Sequence, residues 1–367
     1  MYPSDARTAD LPPPVIVGRS ISEETLFPNE GSCPRFRQLA RLFAQRAADR
    51  CAWALLLLGL ISELVLWPKD TNQPPGNHTD DMRYLNSIWS KWMPASSPVI
   101  AVDSKPRLSG IMDTINATDA HGPATKLPAE FYDKKGRAIV DKVAVDEWFA
   151  GYQETTEYRK LGIGALLGDV VDNMVITACT GGWYSENIDP GALAKGTAIK
   201  FALSGCHDTT LAGILGSLGA FKNEKWPPFT SSIAVELFSK SGGSAAIDET
   251  PKKTGLFSYF TGSSSSSTKR NPSDVARIPI DSLPDSTKKE LKNHYVRLRF
   301  NDKPVRIPGC AAKPENHLPG DETFCTLEAF KAIVDKFTPK DWREECVQNI
   351  GEGLFGKDNR FKDEAGF

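Results

Sequence analysis

Apolar residues fall at helical spacing in several stretches of the chain. In Arg35–Arg50, Phe36, Leu39, Ala40 and Phe43 occupy i, i+3, i+4 and i+7 and predict a helix. Met82–Trp92, Ile111–Asn116, Ala138–Tyr152 and Leu161–Thr177 read as further helices, so residues 79–178 are expected to be mainly helical. Trp89 and Trp92 lie three apart and are expected on one face. Farther along, the period drops to two. Ile233, Val235 and Leu237 alternate within Ser232–Phe238 and predict a strand. His294–Phe300 and Pro304–Ile307 predict a hairpin turning at Asn301-Asp302, and a last helix is expected from near Thr326 to before Pro339. Lys200–Phe221, KFALSGCHDTTLAGILGSLGAF, joins the two periods. It predicts a short strand at Phe201–Leu203, a tight Ser-Gly-Cys turn, and a helix opening at His207-Asp208. Leu211, Ile214, Leu215 and Leu218 form the apolar face of that helix.

Other stretches break the pattern. Residues 1–32 are mostly irregular, with a strand read only at Pro14–Gly18. Residues 241–274 are rich in Gly, Ser and Thr, carry a serine run from Ser263 to Ser267, and predict a mobile surface loop. The apolar run Cys51–Trp67 admits three readings: a membrane span, a buried helix, or an insertion. As a span it sits at the short end of roughly 17–25 residues and carries Glu63.

The chain has 367 residues, 40% hydrophobic and 25% charged, ample for a core in one large or two moderate domains. Net charge is -2, with no basic bias, so a nucleic-acid partner is not expected. The seven cysteines form no C-x-x-C pair, so no zinc or other metal site is expected. Spacing alone leaves them equally readable as reduced thiols. Sequons at Asn77 and Asn116 agree with a secretory route, although Met1-Tyr-Pro-Ser-Asp opens on no signal-like sequence.

The strongest chemical candidate is the His207-Asp208 pair. A helix N-terminus presents free N–H groups and a positive dipole end, which suits a phosphate. An imidazole beside a carboxyl there can bind an anion and move a proton. The bland reading is that Asp208-Thr209-Thr210 is an ordinary helix cap.

Ser204-Gly-Cys-His-Asp-Thr-Thr-Leu-Ala-Gly resembles the C-terminal His-Asp motif of the histidine acid phosphatases, within the phosphoglycerate-mutase-like histidine phosphatase superfamily. Cys33-Pro-Arg-Phe-Arg-Gln-Leu resembles the opening of that family's helical cap. Arg159–Val170 resembles the helix returning from cap to core, and Pro308-Gly-Cys through Cys346 resembles its C-terminus. The resemblance implies an α/β fold: a three-layer α/β/α core, its sheet incomplete here, with a helical cap. It implies a cap region at 1–178, including an insert at 51–77 because cap-like sequence resumes at Thr79, and a core region at 179–367. It implies cofactor-independent, metal-independent hydrolysis of a phosphomonoester, with His207 binding the phosphoryl group and Asp208 as the acid. It also implies Cys33–Cys346 and Cys310–Cys325 disulfides and a homodimer, with no membrane partner.

One element of the family pattern is missing. The nucleophilic histidine and its arginine belong to an R-H-G-x-R-x-P motif, and no R-H-G occurs in this chain. His78, His121, His294 and His317 do not substitute, being surface, packing or cap positions by context. The chain is therefore expected to be a family member without its N-terminal portion. The alternative is a catalytically inactive binding or regulatory module.

Overall fold

The computed structural model describes residues 20–53, 79–180, 201–221, 225–240, 277–354 and 364–367. The strand read at Pro14–Gly18, most of the 51–77 run, and the 241–274 loop lie outside the described residues, as do Asn77 and His78.

The helices form where the periodicity placed them. They are α1 (Pro34–Trp53), α2 (Asp80–Trp89), α3 (Leu108–His121) and α4 (Lys134–Glu154), followed by α5 (Thr156–Arg159), a π turn (Lys160–Gly164) and α6 (Ala165–Thr180). Thr79 caps α2 by accepting from Met82 N–H, and Asp133 caps α4 by accepting from Gly136 N–H. The expected Met82–Trp92 helix ends early, with a 3₁₀ turn at Ser90–Trp92. Trp89 and Trp92 do share a neighbour, their rings lying 5.5 and 6.4 Å from that of Phe131.

Two apolar clusters organise these helices. One gathers Met82, Leu85, Trp89, Ile111, Phe131 and Ile139 from α2, α3, α4 and their connections. The other gathers Phe36 and Phe43 of α1, Leu167 and Val171 of α6, and the C-terminal elements. Helix α4 belongs to both: Ile139, Val140 and Val143 enter the first, Phe149 and Tyr152 the second. The run Thr156–Cys179 is long and apolar enough to cross a membrane by composition, but half of its most apolar window is buried inside the protein.

Helix α7 (Asp208–Ser217) follows the expected pattern and exceeds it. Leu211, Ile214, Leu215 and Leu218 are buried, and so is every residue from Thr210 to Ser217. It is an interior helix, packed on α4. Gly213 and Gly216 permit that approach, since a Cβ at either would lie 3.1 or 3.0 Å from the Tyr152 side chain.

The sheet is antiparallel throughout. β1 (Ile233–Ser239) pairs with β2 (His294–Phe300), running from Ile233 opposite Phe300 to Ser239 opposite His294. The other edge of β2 takes β3 (Lys303–Val305) and β5 (Asp321–Thr326), and β5 carries β4 (His317–Leu318). The β2–β3 turn is at Asn301-Asp302, both with positive φ, as a tight hairpin requires. Val296 and Leu298 of β2 share the main core with Leu291 of α8 (Asp285–Lys292) and with Phe330 and Val334 of α10 (Leu327–Asp335). The short α9 is Pro308–Ala311. The expected last helix is α10, capped by Thr326, but a further turn, α11 (Trp342–Glu345), follows it.

The strand expected at Phe201–Leu203 does not form. Residues 201–207 carry no secondary structure, and Phe201 and Leu203 are each 80% exposed. A strand is a pairing, and no described strand lies alongside this segment. Its apolar residues fit a ladder that the described residues do not supply.

Both expected disulfides are present. Cys33 bonds Cys346 with Cα atoms 4.9 Å apart, and Cys310 bonds Cys325 with Cα atoms 5.3 Å apart. Cys179 and Cys206 are free.

Candidate functional site

The junction before α7 ends with His207 as the N-cap residue, in extended backbone conformation and with no side-chain cap bond. Its carbonyl accepts from Thr210 and Leu211 N–H, which starts the helix. The imidazole is exposed, and the Phe27 ring meets it edge-on at 6.5 Å between centroids. Asp208 is half-buried in the first turn, where the helix dipole favours a negative charge. Its Oδ1 accepts Thr209 N–H at 2.8 Å, and its Oδ2 accepts the indole N–H of Trp226 at 2.7 Å. Thr210 Oγ1 donates to the Leu26 carbonyl at 2.5 Å and so fixes the 24–30 segment over the helix start. The structure thus brings His207 and Asp208 together at a helix N-terminus. The cap role is real for the His207 backbone, while the Asp208 carboxyl is turned toward Trp226.

The free thiol of Cys206 is exposed beside the pair. Desolvation pushes its pKa up, against the opposing hydrogen bond with Thr210, so it is not activated as a thiolate. His121 lies in the last turn of α3, and His294 and His317 open β2 and β4. None of the three joins the site.

A second polar group lies along α4. Glu147 is only 4% exposed and pairs with Arg107, the residue before α3. Burial pushes its carboxyl up to about 7, outweighing the pull of Arg107. Among the described residues, its Oε2 has no hydrogen-bond partner. Glu30 is also raised by burial, against the arginines Arg107, Arg37 and Arg41. Beside Glu147, the Trp148 ring lies 6.3 Å from that of Trp226, with the Arg107 guanidinium 5.9 Å from its centroid. Phe149 and Tyr152 are core residues, each 1% exposed.

Sequence reasoning missed Trp226, Glu147 and Arg107. A signal existed for Glu147, a charge in register with Ile139, Val140, Val143 and Ala144 on a buried helical face. Trp226 offered only its place before Pro227-Pro228. Among the described residues, no three His, Cys, Asp or Glu side chains are grouped to hold a metal. A surface cavity of about 620 Å³, lined by Thr177, Leu237, Lys240, Glu290, Asn293 and His294 among others, includes no residue of the His207-Asp208 pair or of the Glu147 group.

The chain is 31% identical over 351 residues to a probable acid phosphatase of Schizosaccharomyces pombe, a match covering 94% of this chain and 63% of that protein. It is 22% identical over 198 residues to the lysosomal acid phosphatases of Homo sapiens and Pongo abelii, covering 54% of this chain and 30% of each. The chain therefore spans less than two thirds of the length of these relatives. No family model matches it. These similarities make acid phosphatases the relatives of this chain, whose described residues form helices and an antiparallel sheet.

Proposed function

We propose that this chain is a histidine acid phosphatase in family and that its site serves phosphomonoester hydrolysis. The observation that carries the reading is the His207-Asp208 pair at the start of α7, with an exposed imidazole and a carboxyl held through both oxygens. The phosphoglycerate-mutase-like α/β/α arrangement, with a cap at 1–178 and a core at 179–367, belongs to this reading.

In it, the His207 imidazole and the α7 N–H groups hold the non-bridging oxygens of a phosphoryl group, where charge persists throughout transfer. Asp208 donates its proton to the departing alkoxide and can then accept one from the attacking water. Phosphoryl transfer through a phosphohistidine also needs a nucleophilic histidine with an arginine beside it. The R-H-G motif that provides them is not in residues 1–367. Residues 1–367 taken alone are therefore expected to bind phosphate at this site without turning it over, and the hydrolytic reading requires the nucleophile to be supplied in addition.

The test measures two quantities on chain 1–367: binding of inorganic phosphate by calorimetry and hydrolysis of p-nitrophenyl phosphate at pH 5. We expect saturable binding, weakened at least about tenfold by His207→Ala through loss of a charge-assisted contact, and no hydrolysis above background. Binding that His207→Ala leaves unchanged would overturn the site assignment. A trapped phosphohistidine would overturn the claim that the nucleophile is missing.

A further inference from the structure

The Asp208 carboxyl has a partner from outside its own helix. We propose that Trp226 is a positioning residue for Asp208, and that the aromatic contact of Trp226 with α4 couples the orientation of that acid to the helix. The inference rests on the reading of Asp208 as the proton donor, but its geometry does not depend on turnover.

A carboxyl at a helix start is free to rotate about its Cα–Cβ and Cβ–Cγ bonds. Here Thr209 N–H holds Oδ1 at 2.8 Å and Trp226 Nε1–H holds Oδ2 at 2.7 Å. Two donors on opposite oxygens fix the carboxyl plane. The indole nitrogen only donates, so it cannot take the acid's proton, and its bond can persist in both protonation states of Asp208. A serine, histidine or carboxyl at this place would exchange roles with Asp208 or compete for its proton.

The indole is itself immobilised. Trp226 is half-buried and precedes Pro227, which restricts its backbone to extended conformations. Its ring meets Phe149 edge-on at 6.0 Å and Trp148 at 6.3 Å. Both partners stand on α4, the helix shared by the two apolar clusters, and the Arg107 guanidinium lies over the Trp148 ring. A shift of α4 moves the ring platform under Trp226 and, through the indole N–H, the carboxyl of Asp208. The bland alternative is that Trp226 only fills space, with its N–H near Asp208 by accident of packing.

The two readings differ in the behaviour of the indole N–H. The groups around it that can change or carry charge are His207 and Cys206 before the helix, Lys225 next to Trp226 in the chain, and Glu147 of α4 with its partner Arg107. In uniformly ¹⁵N-labelled chain 1–367, the Trp226 indole resonance is assigned by its loss in Trp226→Phe and followed between pH 3 and pH 8. We expect a pH-dependent step that Asp208→Asn abolishes and that His207→Ala and Glu147→Gln leave in place. A resonance that does not move with pH, or that moves equally in Asp208→Asn, would overturn the proposal. Phosphate binding measured on the same variants keeps the two ideas apart. Its loss in His207→Ala tests the anion site, whereas the indole step tests the Trp226–Asp208 bond whether or not phosphate binds.

Discussion

Arg35 shows how much one side chain can organise. It is fully buried, and its guanidinium forks onto Glu157, with Nε to Oε1 at 3.0 Å and Nη2 to Oε2 at 2.7 Å. The remaining N–H groups reach the Gln38 side-chain oxygen and the carbonyls of Glu352 and Gly353, so one residue ties α1, α5 and the C-terminal segment together. Arg35→Ala removes a buried partner and is expected to lower stability by roughly 3–5 kcal/mol in urea unfolding. Arg35→Lys should recover only part, because an ammonium cannot reproduce the fork. Glu147 makes a prediction of opposite character. Its pKa rises from 4.5 to about 7 and that of Asp172 from 3.8 to about 6, both mainly through burial. Between the unfolded and folded values the native state binds more protons, so stability falls as pH rises through that window. The full benefit is present below about pH 4 and is gone above about pH 7. Glu147→Gln should flatten this slope in unfolding curves measured at pH 5 and pH 7.5. An unchanged slope would mean that Glu147 is ionised in the folded protein throughout.

At the scale of elements, the helices and the late hairpin were legible because their residues obey local rules. Phe36, Leu39 and Phe43 of α1 are all buried, and the positive φ angles at Asn301 and Asp302 suit the residue types found there. What resisted reading depended on partners distant in sequence. Nothing in Phe201–Leu203 says whether a neighbouring strand is present, and nothing in Leu161–Thr177 announces the π turn at Lys160–Gly164. The turn ends at Gly164, which is packed directly against backbone. A Cβ on Gly164 would lie 2.1 Å from the Phe337 carbonyl oxygen, a backbone atom that cannot swing aside. Gly164→Ala is therefore expected to cost about 1–3 kcal/mol by overpacking, despite alanine's better helix propensity. A stability gain in thermal unfolding would show that the Phe337 backbone gives way to the added methyl group. The site followed the same division. His207 and Asp208 stood out because a helix start has a local signature. Trp226, 18 positions beyond Asp208, was joined to it only by folding.

For the whole molecule, the question is what holds distant segments together and what remains uncovered. The Cys33–Cys346 bond joins residues 313 apart, at the start of α1 and the end of α11. Its removal by Cys33→Ser with Cys346→Ser is expected to cost roughly 2–5 kcal/mol in denaturant unfolding. The uncovered part is the approach to the site. β1 is an edge strand among the described residues, and residues 201–206 are exposed, carry no secondary structure and make no backbone–backbone hydrogen bond to the other described residues. N–H and C=O groups without a partner among the described residues, beside two exposed apolar side chains, form a template for another strand. Chain 1–367 should therefore self-associate through this segment. Phe201→Ser with Leu203→Ser should shift sedimentation profiles toward monomer and, at 80% exposure, change stability by no more than about 0.5 kcal/mol. Loss of stability well beyond that would show Phe201 and Leu203 buried in solution against a strand of this chain. The His207-Asp208 mouth would then be more enclosed than the described residues make it.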